Sequence, residues 1–536
     1  MLPQPRMVRD LDVLAARRFD VLVVGGGIHG LMTAWDAASR GLHTALVERH
    51  DFGGSASFHH HRTLHGGLRY LQSGDLARLR ESVRERRTWA RIAPHLLVSQ
   101  PFAIEAGGAR GKSATLLRAG FALDAVLAAD RNRGVAPALR LPAGRIVDGS
   151  DRAALDTGGL LPPAPLGVWY DYRTEHAERL TFAVAQAAVN AGAVLANYVD
   201  AIEPIRDGRR VDGMVGRDGV DGERLQITAR VTINAAGAHA GRLMSAFGAN
   251  RPPLLVKAMN LVTRRPAPAV ACGAPTAGGR LLFALPWQGR LSIGTWHGPA
   301  PCGADASLVT PEELSRFLTE INEAFPSLAL TPDDVTLVQR GVVPAVRHGT
   351  GLALADRPIV REHRQDGVDG AVSVIGVKYT TARATAERTV TLAMAQLGRH
   401  APPRTGQIVL PGGEPDDTPS PVPGLDEECW RHLQRLYGAE AGRVAAPART
   451  SPTLTARLHP GLPITGVQVV EAARHEMALT LDDAVLRRTG LGSARYPGDE
   501  TVVRIERILR EELGWTSSRV EDEIRLLKEF YLPVRV

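Results

Sequence analysis

Residues 20–48 read DVLVVGGGIHGLMTAWDAASRGLHTALVE, and this stretch decides the fold of the first part of the chain. A short β-branched strand, VLVV, runs into Gly25, Gly27 and Gly30, which have the GxGxxG spacing. One glycine permits the tight turn, one the close approach of a pyrophosphate, and one the packing of helix against strand. The helix that follows points its positive N-terminus at the phosphates. The stretch therefore predicts a Rossmann-type unit that binds a dinucleotide.

An acidic residue closes the same unit. After the helix, a second strand, HTALVE, ends at Glu48. A carboxylate at this position accepts hydrogen bonds from ribose hydroxyls and disfavours a 2′-phosphate. The expected cofactor is therefore FAD or NAD, and the rest of the chain decides between them.

Two later segments repeat the pattern of a strand followed by a turn of small residues. Residues 229–241, ARVTINAAGAHAG, form a strand that ends in a turn around Gly237. Residues 371–390, AVSVIGVKYTTARATAERTV, form a strand, a turn at Gly376 and a helix whose start can face a phosphate. Segments this far apart suit a cofactor that lies extended across the sheet. This discontinuous arrangement is typical of glutathione-reductase-like flavin enzymes, so it favours FAD.

The composition narrows the class of protein. A chain of 536 residues is too long for one hydrophobic core, so two or three domains are expected. The net charge of +7 comes from arginines scattered among acidic residues, which argues against a nucleic-acid partner. Cys272, Cys302 and Cys429 are sparse and lack a CxxC pair, so no disulfide framework or zinc knuckle is expected.

The expected location follows from two sequence features. The first residues mix charges into every window, so no signal peptide is expected. The sequence has no run of 18 uncharged apolar residues, so no membrane-spanning helix is expected either. We therefore expect a cytoplasmic protein, with peripheral contact at the inner face of the membrane left open.

The chain resembles the FAD-dependent glycerol-3-phosphate dehydrogenase family, flavoproteins of the D-amino-acid-oxidase type, over nearly its whole length. The pieces that carry the resemblance are VVGGGIHGLMTAWDAASRGL, LHGGLRYL, WYDYRTEHAERL, INAAGAHAGRL, LSIGT, GVKYTTAR and RHEMALTLDDAVLRRT. The last piece is specific to this family among flavoproteins. The resemblance implies an α/β fold with a discontinuous Rossmann-type FAD-binding domain, an α+β substrate cap with an antiparallel sheet, and a C-terminal helical domain.

The resemblance also implies a division of the chain into domains. The FAD-binding domain would be assembled from residues 18–105, 170–250 and 345–398, and the cap from residues 106–169 and 251–344. Within the cap, residues 116–130, LLRAGFALDAVLAAD, are similar to a helix of the family. Residues 410–426 are rich in Pro, Gly and Asp and predict a linker loop. Residues 427–536 would form the helical domain.

Two patterns within these domains carry no chemistry. Residues 207–231 alternate apolar and polar positions between Asp-Gly turns, which predicts a β-meander on the FAD-binding domain. The last helices of the chain are amphipathic. We expect them to pack against the body of the protein or a second subunit rather than to dock on a membrane.

The residues that the resemblance assigns to FAD lie in the glycine loop, at the acidic strand end, in the loop before and within HGG, and in the two later turns. They are Gly25, Gly27, Gly30, Glu48, Ser57, His59, Arg62, Gly66, Gly67, Gly237, Gly376, Lys378 and Thr380. Lys378 also has an expected catalytic role, because a cation near the ring stabilises the reduced, anionic flavin.

Other matched positions face the substrate. In LHGGLRYL, Arg69 and Tyr70 match family residues at the substrate pocket, and Arg361 matches an arginine that helps hold the substrate phosphate. The expected reaction moves a hydride from an alcohol carbon to flavin N5 while a base takes the hydroxyl proton. An imidazole suits that role near neutral pH. His65 and His61 are the candidate bases, and His297 is a further candidate on the cap side.

Four segments depart from the family pattern, and all lie on the substrate side. The family's Gly-Val-Arg-Pro is replaced by GVVP, so Val343 stands where an arginine would grip the phosphate. Its Lys-Gly-Ser-His is replaced by KAMN, which puts Asn260 in place of a histidine. Its Gly-Thr-Thr-Asp is replaced by GTWH, which introduces Trp296 and His297, and its Ser-Ser-Lys is replaced by residues 60–62, HHR. Valine cannot replace a bidentate arginine contact, although Arg340 or Arg347 could compensate.

The clustered departures predict a changed substrate, namely a polyol-like or sugar-like small molecule other than glycerol 3-phosphate that is oxidised at a CH–OH group. The alternatives are a genuine quinone-linked glycerol-3-phosphate dehydrogenase, a CH–NH amine oxidase or dehydrogenase, and a flavin-binding protein without turnover. The electron acceptor is expected to be a quinone, oxygen or a separate carrier. A homodimer is one possible assembly.

Three consecutive histidines, His59, His60 and His61, precede the HGG turn. A metal needs ligands that converge on one point, whereas adjacent residues of an extended loop point to opposite sides, so no metal is expected. Residues 55–59, SASFH, resemble the Gly-Thr-Thr-Trp-His segment of dimethylglycine and sarcosine dehydrogenases, whose histidine is bonded covalently to the flavin. His59 would then carry an 8α-histidyl bond to FAD, or else be a non-covalent imidazole beside the pyrophosphate or ring.

Overall fold

A computed structural model describes residues 7–107, 113–249, 251–349, 351–414 and 421–532 of the chain. The strands are β1 (Phe19–Val24), β2 (Thr44–Val47), β3 (Thr63–Leu64), β4 (Leu97–Glu105), β5 (Arg145–Val147), β6 (Leu166–Thr174), β7 (Val194–Ala196), β8 (Val199–Asp207), β9 (Arg210–Asp218), β10 (Arg224–Asn234), β11 (Leu255–Pro266), β12 (Ala271–Pro275), β13 (Leu281–Trp287), β14 (Arg290–His297), β15 (Val335–His348), β16 (Gly351–Leu354), β17 (Ile359–Glu362), β18 (Ala371–Ile375), β19 (Arg457–His459) and β20 (Leu462–Thr465). The helices are α1 (Leu11–Ala16), α2 (Ile28–Ser39), α3 (Leu76–Ile92), α4 (Ala114–Leu127), α5 (Gly149–Ala153), α6 (Ala177–Asn190), α7 (Ala240–Ala246), α8 (Pro311–Ala324), α9 (Ala382–Gln396), α10 (Glu427–Tyr437), α11 (Ala441–Ala445), α12 (Gly466–His475), α13 (Asp499–Leu513) and α14 (Ser517–Phe530).

The first sheet is the Rossmann-type sheet that the glycine motif predicts. Its strand order is β17-β18-β10-β1-β2-β7, and β18, β10, β1, β2 and β7 run parallel. Helix α2 contacts both α6 and α9 beside this sheet. Strands β8, β9 and β10 form an antiparallel ribbon, which confirms the predicted meander. The carboxyl ends of β1, β2, β10 and β18 meet at one edge of the sheet, where cofactors bind in such folds.

The second sheet forms the cap, and its strand order is β16-β15-β11-β14-β13-β12-β4-β6-β3, with β5 beside β6. It is antiparallel except where β12 lies parallel to β4. Helix α8 packs on one face through Leu314, Phe317 and Ile321, which share a buried cluster with Ile293 and Val338. This is the expected α+β cap.

Three strands of the cap sheet lie wholly within segments that the resemblance assigns to the FAD-binding domain. Strands β3 and β4 lie within residues 18–105 and pair with β6, β4 also pairs with β12, and strand β16 lies within residues 345–398 and pairs with β15. We propose that all three strands be counted with the cap, because their backbone hydrogen bonds are made there.

The C-terminal part consists of helices α10 to α14 and the hairpin of β19 and β20. Of the predicted linker 410–426, residues 415–420 lie outside the described part. Helix α14 ends at Phe530, whose ring lies 6.0 Å from that of Phe58 in the N-terminal body. The predicted packing of the last helices against the body is therefore confirmed for α14.

A buried ion-pair network fixes the C-terminal part to the first sheet. Arg488 donates to both carboxylate oxygens of Asp51 at 2.7 and 2.8 Å, and Arg487 adds a bond of 2.6 Å. Asn197 donates to the same carboxylate at 3.1 Å. Burial alone would raise the pKa of Asp51, but the two guanidinium groups hold the pKa of this carboxyl below its usual range. Asp51 therefore stays charged, and the two parts are joined at the loop after β2.

Candidate active site

A groove of about 440 Å³ runs along the edge of the first sheet. Its walls come from the turn after β1, the end of β2, residues 54–59, the turn after β10, and Gly376 after β18; part of β15 and Phe530 of α14 complete them. This volume lies within the range of small-molecule and cofactor sites. The groove joins the segments that the sequence predicts to contact one extended cofactor.

The glycine turn needs its glycines for steric reasons. Gly25 has a φ of 111°, and a Cβ added there would lie 2.6 Å from the carbonyl oxygen of Ala235. A Cβ at Gly30 would overlap with the carbonyl oxygen of Gly25. The N–H of Ile28, at the start of α2, donates to Ser57 Oγ at 2.9 Å. Ser57 thus stands at the helix N-terminus, where a phosphate would be held.

Glu48 lies on the groove wall at the end of β2. The N–H of Gly26 donates to its Oε2 at 2.6 Å, and the N–H of His50 donates to its Oε1 at 2.9 Å. Each carboxylate oxygen keeps a free lone pair, because an ionised carboxylate can accept several bonds. The side chain is therefore held in place and can still accept from ribose hydroxyls.

The loop before HGG contacts both the cap and the C-terminal part. His59 lines the groove, and its ring stacks on Phe530 with centroids 6.2 Å apart. Burial lowers the pKa of His59 to about 3, and its Nδ1 has no hydrogen-bond partner among the described residues. Asn260 Nδ2 donates to the carbonyl of His59 at 2.9 Å, and Asn260 Oδ1 accepts from Thr295 Oγ1 at 2.8 Å. Asn260 therefore anchors this loop.

Arg62 points away from the groove. It adopts a left-handed backbone with a φ of 44°, and its guanidinium lies 2.6 Å from Glu178 and 3.8 Å from the centre of the Trp287 ring. Sequence reasoning placed Arg62 at the cofactor, whereas the structure gives its charge a buried carboxylate and an aromatic face. Its contacts support the loop.

His60 and His61 are neutral imidazoles with fixed hydrogen bonds. His60 Nδ1 donates to the carbonyl of Ser57 at 2.8 Å, and its ring stacks on Tyr379 at 4.4 Å. His61 Nε2 donates to the carbonyl of Ser292 at 3.2 Å. Burial lowers the pKa of His60 to about 3 and that of His61 to about 4. Because a carbonyl only accepts, His61 keeps its lone pair on Nδ1.

The HGG loop is tied to the segment after β18. The N–H of His65 donates to Thr380 Oγ1 at 3.1 Å, and the N–H of Gly66 donates to Asp171 Oδ1 at 2.7 Å. His65 Nδ1 lies 3.5 Å from Asp171 Oδ2, and more than half of the His65 side chain is exposed. A carboxylate beside an imidazole orients it for proton transfer. Gly67, with a φ of 82°, makes the turn.

Two cations lie over the Tyr70 ring. Lys378 Nζ is 4.3 Å and the Arg78 guanidinium is 5.0 Å from its centre. Lys378 Nζ is buried without a hydrogen-bond partner in the described part of the chain. Burial, with the nearby charge of Arg69, lowers the pKa of Lys378 to about 8. The structure thus brings together Arg69, Tyr70 and Lys378, as the sequence predicts, and adds Arg78.

Two arginines that follow β16 have different surroundings. Arg361 lies on β17 and donates to Asp366 at 2.7 Å. Arg357 donates to Asp75 Oδ2 at 2.7 Å, and Asp75 caps the helix that follows the Tyr70 loop. The match of Arg361 to the family's phosphate-holding arginine stays a prediction. Arg357 is a second candidate, because its partner Asp75 begins the helix that follows Tyr70.

The residues that depart from the family pattern have different surroundings in the cap. Trp296 is fully buried and packs against Phe317 of α8 with ring centroids 6.5 Å apart, so its ring fills the core of the cap. His297 is half-buried, and its Nδ1 lies 3.5 Å from the carbonyl of Gly298. Val343 is half-buried on β15 and pairs with Val256.

Gly237, one of the residues matched to the cofactor, has a φ of 56° and forms the turn after β10.

His29 is a groove residue that the sequence analysis missed. It lies inside the GxGxxG spacing, at a position where that motif allows any residue.

Among the described residues, no group of three or more His, Cys, Asp and Glu side chains is arranged to hold a metal ion. In the same part of the chain, no helix has the length and apolar character needed to cross a bilayer.

The donors and spaces at this edge fit FAD. The glycine turn and the start of α2 can face a pyrophosphate, Glu48 can accept from a ribose, and buried His29 and Lys378 atoms have no partner among the described residues. Gly376 lines the groove, and Lys378 follows it two residues later in the chain.

The comparisons with known proteins agree with this geometry. Residues 20–392 match the family described as FAD dependent oxidoreductase, and residues 403–520 match the C-terminal domain of alpha-glycerophosphate oxidase. A glycerol-3-phosphate dehydrogenase of Synechocystis sp. is 31% identical over 98% of both chains. Glycerol-3-phosphate dehydrogenase 1 of Mycobacterium tuberculosis is 34% identical over 91% of this chain and 94% of its own.

A solved structure shows the same fold. The glycerol-3-phosphate dehydrogenase from Bacillus halodurans complexed with FAD has a TM-score of 0.71 and 24% identity, and it covers 97% of this chain and 96% of its own. The expected FAD-binding fold, its cofactor and its C-terminal helical domain are therefore confirmed. The protein is a member of the FAD-dependent glycerol-3-phosphate dehydrogenase family.

Proposed function

We propose that this protein oxidises glycerol 3-phosphate at its secondary alcohol to the ketone, using FAD. The observation that carries the proposal is the group of cations around Tyr70, namely Lys378, Arg78 and Arg69, to which Arg357 is linked through Asp75, the carboxylate that also pairs with Arg78. Guanidinium and ammonium groups are the side chains that bind phosphate most strongly. The sequence analysis favoured another alcohol, because Val343 removes an arginine, but these cations offer a phosphate another site.

The proton of the alcohol needs an acceptor near the same cations. We assign that role to His65, because its backbone is bonded to Thr380, two residues beyond Lys378. Asp171 is placed to orient the imidazole. Bound FAD supplies the acceptor for the hydride. Lys378 provides the positive charge that favours a reduced, anionic ring.

His61 is the competing base, since burial keeps it neutral and its Nδ1 carries the lone pair. The variants His65→Asn and His61→Asn separate the two roles. We expect His65→Asn to lower kcat by about 100-fold, within the usual range of general-base catalysis, and His61→Asn to act weakly. A larger loss of kcat in His61→Asn than in His65→Asn would identify His61 as the base.

A second candidate substrate is an unphosphorylated polyol. Gln339 pairs in register with Asn260 on the side of the cap sheet that contacts the His59 loop. It is buried, and neither atom of its amide has a partner among the described residues. Amides bind hydroxyls and leave a phosphate charge uncompensated.

Turnover with an artificial acceptor distinguishes the two substrates. Two charge-assisted hydrogen bonds to the phosphate are worth about 100-fold or more, so kcat/KM should favour glycerol 3-phosphate over glycerol by at least that factor. Equal values, or a preference for glycerol or a longer polyol, would support the second candidate and contradict the phosphate site.

The electron acceptor of the proposed reaction would be reached at a membrane surface. On α4, Leu116, Leu123 and Val126 are 62%, 45% and 74% exposed, and Phe121 is the buried residue of that helix. Their spacing puts them on one face of the helix. An exposed apolar helix face on a protein with a net charge of +7 suits an anionic bilayer surface. We propose that this face contacts the membrane and that a quinone accepts the electrons there.

Vesicle binding tests this contact. The pair of changes Leu123→Glu and Val126→Glu should abolish cosedimentation with phosphatidylglycerol vesicles. Val503→Glu, at a residue of α13 that is 45% exposed, serves as the control and should leave binding intact. Unchanged binding of the double variant would contradict the proposal. Loss of a dimer in the double variant, without vesicle binding by the wild type, would identify a second copy of the chain as the partner.

A further inference from the structure

His29 is the second residue of α2, directly behind the turn that faces the cofactor phosphates. Its side chain lines the groove. Its Nε2 is buried and has no hydrogen-bond partner among the described residues. Native structures seldom leave a buried ring nitrogen unpaired, so a group outside the chain is expected to pair with it.

The ring of His29 spans two segments of the cofactor edge. A Cβ added to Gly376 would overlap with the imidazole, so the ring lies directly against the backbone of Gly376. Gly376 follows β18, and α2 follows β1, with β10 between these two strands. His29 therefore lies beneath the path that leads from the phosphate-facing turn to Lys378.

The protonation state of His29 defines what it can offer. Burial lowers the pKa of His29 to about 4, so the imidazole is neutral at physiological pH. A neutral imidazole has one N–H donor and one acceptor nitrogen. The helix N-terminus beneath it also disfavours a positive charge on the ring. Bound FAD would present oxygens of its pyrophosphate and ribityl chain along this path, and all of them can accept a hydrogen bond.

We propose that His29 is a cofactor-binding residue whose Nε2–H donates a hydrogen bond to an oxygen of FAD between the pyrophosphate and the flavin ring. Gly376 is then required in part because a side chain there would displace this imidazole. The bond concerns the cofactor alone, so it stands or falls independently of which alcohol the enzyme oxidises.

The test compares two replacements of similar size. His29→Gln keeps a side-chain N–H at comparable reach, and His29→Met fills the space without a donor. Apoprotein of the wild type and both variants is titrated with FAD, and binding is followed by the quenching of flavin fluorescence. We expect His29→Met to raise the Kd about tenfold, which corresponds to about 1.4 kcal/mol, and His29→Gln to stay within about threefold of the wild type.

A second readout separates binding from packing. If the nitrogen is unpaired without FAD, His29→Met should leave the melting temperature of the apoprotein unchanged or raise it, because a buried unpaired polar atom is removed. The same variant should show a smaller rise in melting temperature on addition of FAD. An apoprotein that is destabilised by His29→Met while its Kd for FAD is unchanged would overturn the proposal and leave His29 as a packing residue.

Phosphorus NMR of bound FAD locates the accepting oxygen. A changed pyrophosphate resonance in His29→Met assigns the bond to a phosphate oxygen. An unchanged resonance together with the raised Kd assigns it to a ribityl oxygen. Equal affinity of the wild type, His29→Gln and His29→Met would contradict both assignments.

Discussion

The ammonium nitrogen of Lys378 lies 4.3 Å from the centre of the Tyr70 ring. This contact joins the segment after β18 to the HGG loop, which are far apart in the chain. Thr380 strengthens the connection by accepting the N–H of His65. The two segments thus lie side by side and bring together a cation and a candidate base.

The pH dependence of the reaction should report Lys378. Burial lowers the pKa of Lys378 to about 8, so its charge is present below that pH and is lost as the pH rises through it. Because kcat/KM reports groups of the free enzyme, we expect it to fall on the alkaline side with an apparent pKa near that value. Lys378→Arg keeps its charge over this range and should remove this alkaline fall.

Removing the Lys378 charge should be costly below about pH 8, where the wild type carries it. Lys378→Met is expected to lower kcat by about 100-fold, which is typical for the loss of one preorganised electrostatic group. A profile of Lys378→Arg that keeps the alkaline fall of the wild type would show that another group titrates.

Changing Arg357 and changing Arg361 should have different effects on the KM for glycerol 3-phosphate. We expect Arg357→Met to raise the KM for glycerol 3-phosphate at least tenfold, because a charge-assisted hydrogen bond is worth about 1.5–3 kcal/mol. Arg361→Met is the comparison variant. Each guanidinium is paired with one carboxylate, but Arg357 binds Asp75, which follows the Tyr70 loop, whereas Arg361 binds Asp366 in its own segment. Steady-state kinetics on both variants, with melting temperatures to exclude unfolding, checks this. A raised KM for Arg361→Met alone would support Arg361 as the phosphate-holding residue.

The Arg488–Asp51 pair should control how firmly the C-terminal part is held. Arg488→Met leaves the buried Asp51 carboxylate without its bidentate partner, and breaking such a pair costs about 3–5 kcal/mol. We therefore expect a lower melting temperature. Arg474 pairs bidentately with Glu512 but is half exposed, so Arg474→Met should change the melting temperature little. Equal decreases in melting temperature for the two variants would show that the buried pair stabilises the protein no more than the exposed pair.

Acid precipitation tests whether His59 is bonded to FAD. The imidazole contacts the rings of Phe58 and Phe530 at centroid distances of 4.9 and 6.2 Å, and these contacts can hold it in the groove wall without a bond to the flavin. We expect the yellow flavin to remain in the supernatant. A yellow pellet, with flavin fluorescence on the denatured chain, would establish the 8α-histidyl bond.

The sequence predicts the parts of the site that depend on local patterns. Gly30 and Glu48 follow from the spacing of strand, turn and helix, because their contacts to Gly25 and Gly26 are made within one βαβ unit. Arg62 could not be placed in this way. Its direction is set by Glu178 and Trp287, which come from distant segments of the chain.

Trp296 shows a second reason why a sequence pattern fails. Leu291 and Ile293 face the core under α8, and strict alternation along β14 would turn residue 296 to the other side. The register between β11 and β14 shifts here, with Met259 opposite Trp296 and Leu261 opposite Ile293. Such a bulge reverses the alternation, so Trp296 joins the core. An irregular ladder of this kind depends on the partner strand.

The most direct test of the proposed function is an anaerobic titration of the purified holoenzyme with glycerol 3-phosphate, with the visible flavin band as the signal. The cations around Tyr70 predict that the band bleaches at micromolar to low millimolar substrate and that the product is the ketone. A band that persists under glycerol 3-phosphate but bleaches with dithionite and with an unphosphorylated polyol would contradict the account.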